Sequence, residues 1–203
     1  MNVEIFKDRY LYPLTEPDQQ GKQRKLGIEC NIFKNSDDCE QLVLKYAFAQ
    51  AESLYFPAPQ MVFQDIINSI RDALKSKEPG NTPVFEAQPN PNKPAVKIAV
   101  GRDDTLRPFI AIQGDINGKA RMKRFYWYMP KGYTMSRNGQ PMSDLEMQER
   151  MARSFCDRAD LFLKDLEERY KARVFNPGGN RGNGNGNNNY RAPAGDSNFD
   201  DMF

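Results

Sequence analysis

The chain has 203 residues, 28% charged and 39% apolar, with a formal net charge of +2, three cysteines and no histidine. Without histidine it lacks the common neutral-pH general base, any Ser-His or Cys-His nucleophile pair and the usual nitrogen ligand of a metal, so the composition argues against an enzyme. No apolar run approaches the ~20 residues of a membrane span, the first residues lack a signal peptide's apolar core, and Cys30, Cys39 and Cys156 form no CxxC pair, so a cytoplasmic protein without a disulfide framework is expected.

Residues 3–14 have extended character, with Ile5, Phe6, Tyr10, Leu11 and Tyr12 set among Lys7 and Arg9. From 25 to 34 the alternation is clean. Leu26, Ile28, Cys30 and Ile32 fall on one face and Lys25, Glu29 and Asn31 on the other, which predicts a half-buried strand. Residues 37–56 suit strand or helix, and Asp37 and Asp38 ahead of Leu42, Val43, Tyr46 and Phe48 favour a helix. Pro57 and Pro59 break the chain. Phe63, Ile66, Ile67, Ile70 and Leu74 then recur at three- and four-residue spacing, which predicts an amphipathic helix. Pro79, Pro83, Pro89, Pro91 and Pro94 exclude a central strand and predict an extended loop joining two halves.

Ala95 to Met129 reads as three strands joined by turns at 101–105 and 114–118. In the first, Val96, Ile98 and Val100 share a face opposite Lys97. In the second, Ile110 and Ile112 lie opposite Arg107, Phe109 and Gln113. The third opens with Lys119, Arg121 and Lys123 opposite Ala120 and Met122, then continues through Phe125, Tyr126, Trp127 and Tyr128. With each apolar set facing the core, the opposite surface is expected to gather Lys97, Arg107, Phe109, Lys119, Arg121, Lys123, Phe125 and Trp127. Cations there neutralise phosphates while rings stack on unpaired bases, at roughly 1–3 kcal/mol per stacked base. A solvated strand face over a core-filling aromatic run gives the same pattern.

Lys131 to Gln140 reads as a loop or hairpin around Asn138-Gly139, with Lys131, Tyr133 and Arg137 placed to close over a strand lying on the sheet. Ser143 and Glu146 form a capping box opening a helix to about Ala172. Met151, Phe155, Ala159, Phe162, Leu166 and Tyr170 make one stripe along about 45 Å of it. The stripe needs an apolar cover, either the sheet or a second subunit of a homo-oligomer. Asp103, Asp104 and Asp115 fall in turns, where acidic residues are ordinary, and no phosphate-cradling Gly-rich loop with its lysine is present. No catalytic residue, metal site or cofactor is assigned.

The composition then changes. Residues 176–189 hold seven Asn and five Gly, so 175–195 is expected to be a disordered linker following a body of residues 1–174. From Asn176 onward Arg181 and Arg191 stand against Asp196, Asp200 and Asp201, a net of −1, which leaves +3 on the preceding chain. The last residues, 196–203, set those aspartates and an expected terminal carboxylate beside Phe199, Met202 and Phe203.

A folded body, a Gly/Asn-rich linker and an acidic tip ending in Phe resembles the bacterial and phage single-stranded DNA-binding proteins, whose bacterial members end in an Asp run followed by Ile-Pro-Phe. Phe199, Asp200, Asp201, Met202 and Phe203 fill that pattern, with Met202 where proline is usual. The likeness covers linker and tip only. It implies a phage or mobile-element type of protein that coats single-stranded DNA without sequence specificity. It also implies a partner-binding tip of Asp196, Phe199, Asp200, Asp201, Met202 and Phe203. The aspartates would meet Lys or Arg on replication or recombination proteins, with Phe203 in an apolar pocket.

Two α+β architectures fit the body. One is an OB-like antiparallel barrel with added helices, which the resemblance favours. The other duplicates a sheet-plus-helix unit over 1–77 and 84–172, similar to Whirly and Pur-type single-strand binders, and explains the chain order better. A protein-interaction adaptor and an RNA-binding protein are the alternative functions.

Overall fold

The computed structural model describes residues 2–31, 41–50, 52–88 and 90–175, so Ile32, Cys39 and the tip residues Asp196, Phe199, Asp200, Asp201, Met202 and Phe203 lie outside the described residues. The elements are β1 (Asn2–Glu4), a 3-10 turn (Arg9–Leu11), β2 (Gly27–Asn31), β3 (Gln41–Ala49), β4 (Glu52–Pro59) and α1 (Gln60–Lys75). They continue with β5 (Gly80–Ala87), β6 (Val96–Arg102), β7 (Pro108–Ile116), β8 (Lys119–Phe125), β9 (Ser136–Arg137), β10 (Gln140–Pro141) and α2 (Asp144–Phe175). The protein is α+β. Two four-stranded antiparallel sheets, in the orders β1-β2-β3-β4 and β5-β6-β7-β8, are each followed by a helix. Neither sheet closes on itself among the described residues, so these strands show no closed OB-like barrel. Isolated pairs, Leu14 with Lys25 and Leu14 with Tyr126, join the two sheets at one corner.

Within the region expected to be helical over 37–56, the described residues instead form the β3–β4 hairpin. Leu42, Leu44 and Tyr46 on one arm and Leu54, Phe56 and Ala58 on the other are all buried, and only a period of two puts all six on one face. Part of the proline-rich stretch also forms a strand. β5 is at the sheet edge, where Pro83 can lack its N–H without breaking a central ladder, and the register shifts between Asn81 and Val84.

The local signals for both helices hold. Phe63, Ile66, Ile67, Ile70 and Leu74 are buried along α1, which lies against strands of both sheets. The Ser143 amide donates to Glu146 Oε2 at 3.2 Å while the Glu146 amide donates to Ser143 Oγ at 3.3 Å, the reciprocal capping box that opens α2. Along α2 the fully covered set is Ala152, Phe155, Cys156, Ala159 and Leu163, with Met151, Phe162 and Leu166 at its margin.

The two sheets enclose one shared core rather than having one each. Tyr46 of β3 meets Phe125 of β8 edge-on at 5.0 Å. Gly114 of β7 passes Leu54 of β4 so closely that a Cβ would sit 2.8 Å from Leu54 Cδ2. Arg102, at the end of β6, ties the helices to this core. Its Nε donates to the Ala73 carbonyl at 2.7 Å and its Nη2 to the Leu74 carbonyl at 2.9 Å, satisfying the last turn of α1, while Nη2 also pairs with Glu149 of α2 at 2.7 Å. Cys156 is a free, buried thiol whose pKa burial pushes up to about 12, and Cys30 is disulfide-bonded, contrary to the expectation of unlinked cysteines.

Candidate nucleic-acid interface

β7 and β8 are joined by Asn117 and Gly118, both at positive φ, with Asp115 Oδ1 accepting from the Gly118 amide at 2.7 Å. That turn fixes a register in which Ile110 faces Phe125, Ala111 faces Arg124 and Ile112 faces Lys123. Residues directly opposite share a sheet face, so Phe125 lies with Ile110 on the inner side and Arg124 lies with Ala111 on the outer side.

The outer face of the second sheet is built on small residues. Ala99 and Ala111 form a floor beside which Phe109 and Tyr126 pack as a separate apolar cluster, joined by Tyr128. Two guanidinium groups cover these rings. Arg124 lies over Phe109 at 4.7 Å from its centroid and Arg107 over Tyr126 at 4.3 Å. Such contacts are worth about 0.5–2 kcal/mol each and hold the charge flat against the ring. Val84 and Met122 flank them, each about half exposed. Among the described residues Arg124 has no carboxylate partner. Arg107 has two, Asp103 at 2.8 Å and Glu16 at 2.9 Å. Burial alone would raise the Asp103 pKa, but hydrogen bonds from Thr105 and Arg107 outweigh it and hold the carboxyl below its ordinary range. Burial pushes Tyr128 up to about 12.

The residues expected on one surface are therefore divided between two. Lys97, Arg107 and Phe109 do share the outer face, with Lys97 paired to Glu86 at 2.9 Å across β5 and β6 and Phe109 almost wholly covered. Lys119, Arg121 and Lys123 lie on the opposite face of β8, and Arg121 pairs with Glu52 of β4 at 2.9 Å. Phe125 and Trp127 are fully buried in the shared core, Trp127 against Phe155 of α2 at 5.7 Å. The expectation of a stacking surface made by Phe125 and Trp127 is thus corrected. Burying each ring contributes about 2–3 kcal/mol, more than Ala120 and Met122 offer on the other parity. Tyr133 is exposed in the loop before β9, and the Asn138-Gly139 turn joins β9 to β10 as expected.

Sequence reasoning missed Met122, Arg124, Tyr126 and Tyr128, the even-numbered set of β8 and its extension. A signal was present. Tyrosine hydroxyls favour a half-wet face while Phe and Trp carry no such oxygen, so Phe125 and Trp127 were the better core pair. No protein-family model matches the chain, and no curated protein matches it in sequence.

Proposed function

We propose that the protein binds and coats single-stranded DNA without sequence specificity during replication and recombination, as a non-enzymatic phage or mobile-element protein. The observation that carries this reading is the outer face of the second sheet, where Arg124 lies over Phe109 and Arg107 over Tyr126. A guanidinium on a ring can slide to a phosphate and yield the ring to a base, the pairing of charge and stacking that sequence-tolerant binding uses. Lys97 adds a cation to that face, and Tyr133 is an exposed ring in the loop that follows the sheet. The twice-repeated order of antiparallel sheet then helix supports kinship with the Whirly and Pur-type binders over the OB barrel. The acidic tip, Asp196 to Phe203, then recruits replication and recombination proteins.

The test is binding of labelled oligo-dT, a matching duplex and a matching RNA at two salt concentrations, with wild type and with Arg124→Glu. Oligo-dT is expected to bind best. Arg124→Glu is expected to weaken it by about tenfold or more and to lower the slope of log affinity against log salt by about one. Unchanged binding in the variant would remove the second-sheet face from the reading. No binding by wild type would favour an adaptor acting through its tail.

A further inference from the structure

The outer face of the first sheet carries a groove of about 440 Å³ that none of the sequence-predicted residues lines. Gly27 shapes it. A Cβ there would sit 3.0 Å from Lys45 Cγ, so its absence lets the lysine stem lie close against β2 while Nζ reaches Glu29 Oε1 at 2.6 Å. Glu29 is only 7% exposed and lines the groove, and among the described residues its Oε2 has no hydrogen-bond partner. A buried polar oxygen left in that state is costly, the more so when charged, so the groove is a site lacking a donor. Tyr55, directly across the ladder from Lys45, shows 55% of its surface, and the lining also includes Arg24, Lys25 and Glu4, the last ion-paired to Lys25.

We propose that this groove seats one guanine of a bound single strand. Glu29 Oε2 accepts from the base's N1–H and N2–H edge, Tyr55 stacks on its ring, and Arg24 and Lys25 meet the flanking phosphates. The inference rests on the single-strand reading and deepens it, adding one guanine-preferring seat to a surface that is otherwise sequence-tolerant. Guanine alone presents two adjacent donors with no acceptor between them. Thymine flanks its N3–H with two carbonyl oxygens that a carboxylate repels, and adenine and cytosine set a lone pair beside their amino group. With Oε1 already held by Lys45, the one remaining oxygen selects a donor edge.

The strand can reach the groove from the second sheet. Leu14 exchanges two backbone hydrogen bonds of 2.7 Å with Tyr126 and also pairs with Lys25. Lys25 and Tyr126 are therefore two strand spacings apart, about 10 Å. The Arg107–Tyr126 contact and the groove thus lie on either side of the Leu14 segment, a separation that a short run of nucleotides spans.

The experiment compares a labelled oligo-dT of about 16 nucleotides with the same oligomer carrying one central dG. Full-length wild type is expected to bind the dG oligomer about tenfold tighter. In Glu29→Leu and, separately, in Tyr55→Ala that ratio is expected to fall within about twofold while oligo-dT is still bound. The Tyr55 side chain is exposed, so its variant keeps the test independent of any loss of folding at Glu29. Equal affinities in wild type, or a ratio retained in both variants, would overturn the guanine site and leave the second-sheet reading intact. Failure to bind either oligomer would overturn that parent reading and the site with it.

Discussion

Asp103 shows how much one side chain organises at the candidate surface. Its carboxylate accepts from the Thr105 amide at 2.9 Å, the Thr105 hydroxyl at 2.7 Å, and the Arg107 amide and Nε at 3.0 and 2.9 Å. It thereby holds the guanidinium that covers Tyr126, in a turn where Leu106 takes a positive φ of 65°. Because its folded pKa lies below the unfolded value of 3.8, its contribution is fully present above that value and is lost as pH falls through the folded one. Asp103→Asn is therefore expected to lower stability at about pH 6 and to flatten its decline toward about pH 3. Urea unfolding at both pH values checks this; equal acid-limb slopes in the two proteins would contradict it. At this scale the sequence was only partly legible. Lys97, Arg107 and Phe109 were placed on the right face because Ile98 and Ile110 fixed the inward parity of their strands. On β8 both parities carry apolar and cationic residues, so alternation alone could not choose, and the hydroxyl-free rings decided it.

Elements that announce themselves within a few residues were the most legible. The stripe of α1 and the Ser143–Glu146 capping box are encoded over one or two helical turns, and both form where expected. The β3–β4 hairpin was missed because its evidence lies in two arms whose pairing is not local. Pro57, read as a breaker, sits within β4 opposite Val43. Arg102 was invisible for a related reason. It looks like a turn residue, yet it joins the end of α1, the 103–107 turn and Glu149 of α2 while almost wholly buried. Arg102→Met fills similar volume but leaves the Ala73 and Leu74 carbonyls without their donor and Glu149 with Arg153 at 3.6 Å in place of the buried pair. The expected loss is about 3–5 kcal/mol, read as a lower urea midpoint with unchanged m-value. A loss under about 1 kcal/mol would mean that water replaces the guanidinium at little cost.

At the scale of the whole molecule, the repeated sheet-then-helix order gives two outward faces over one core, and the corner at Leu14 brings them together. The chain order was readable because each helix follows its strands closely; the sharing of a core was not, since it depends on contacts such as Gly114 with Leu54. The acidic tip, read from composition, carries a charge opposite to that of the proposed surface. Deleting residues 196–203 is expected to tighten oligo-dT binding at low salt and to abolish partner capture, with little change at high salt. Unchanged low-salt affinity would separate the tip from the surface. The burial of Trp127 has a practical corollary. As the only tryptophan, packed between the end of the second sheet and α2 with its indole N–H unpartnered among the described residues, it is an intrinsic optical gauge of whether that joint is closed. Its emission follows unfolding and is blind to what arrives at the outer faces, so occupancy there has to be read from a dye on the nucleic acid.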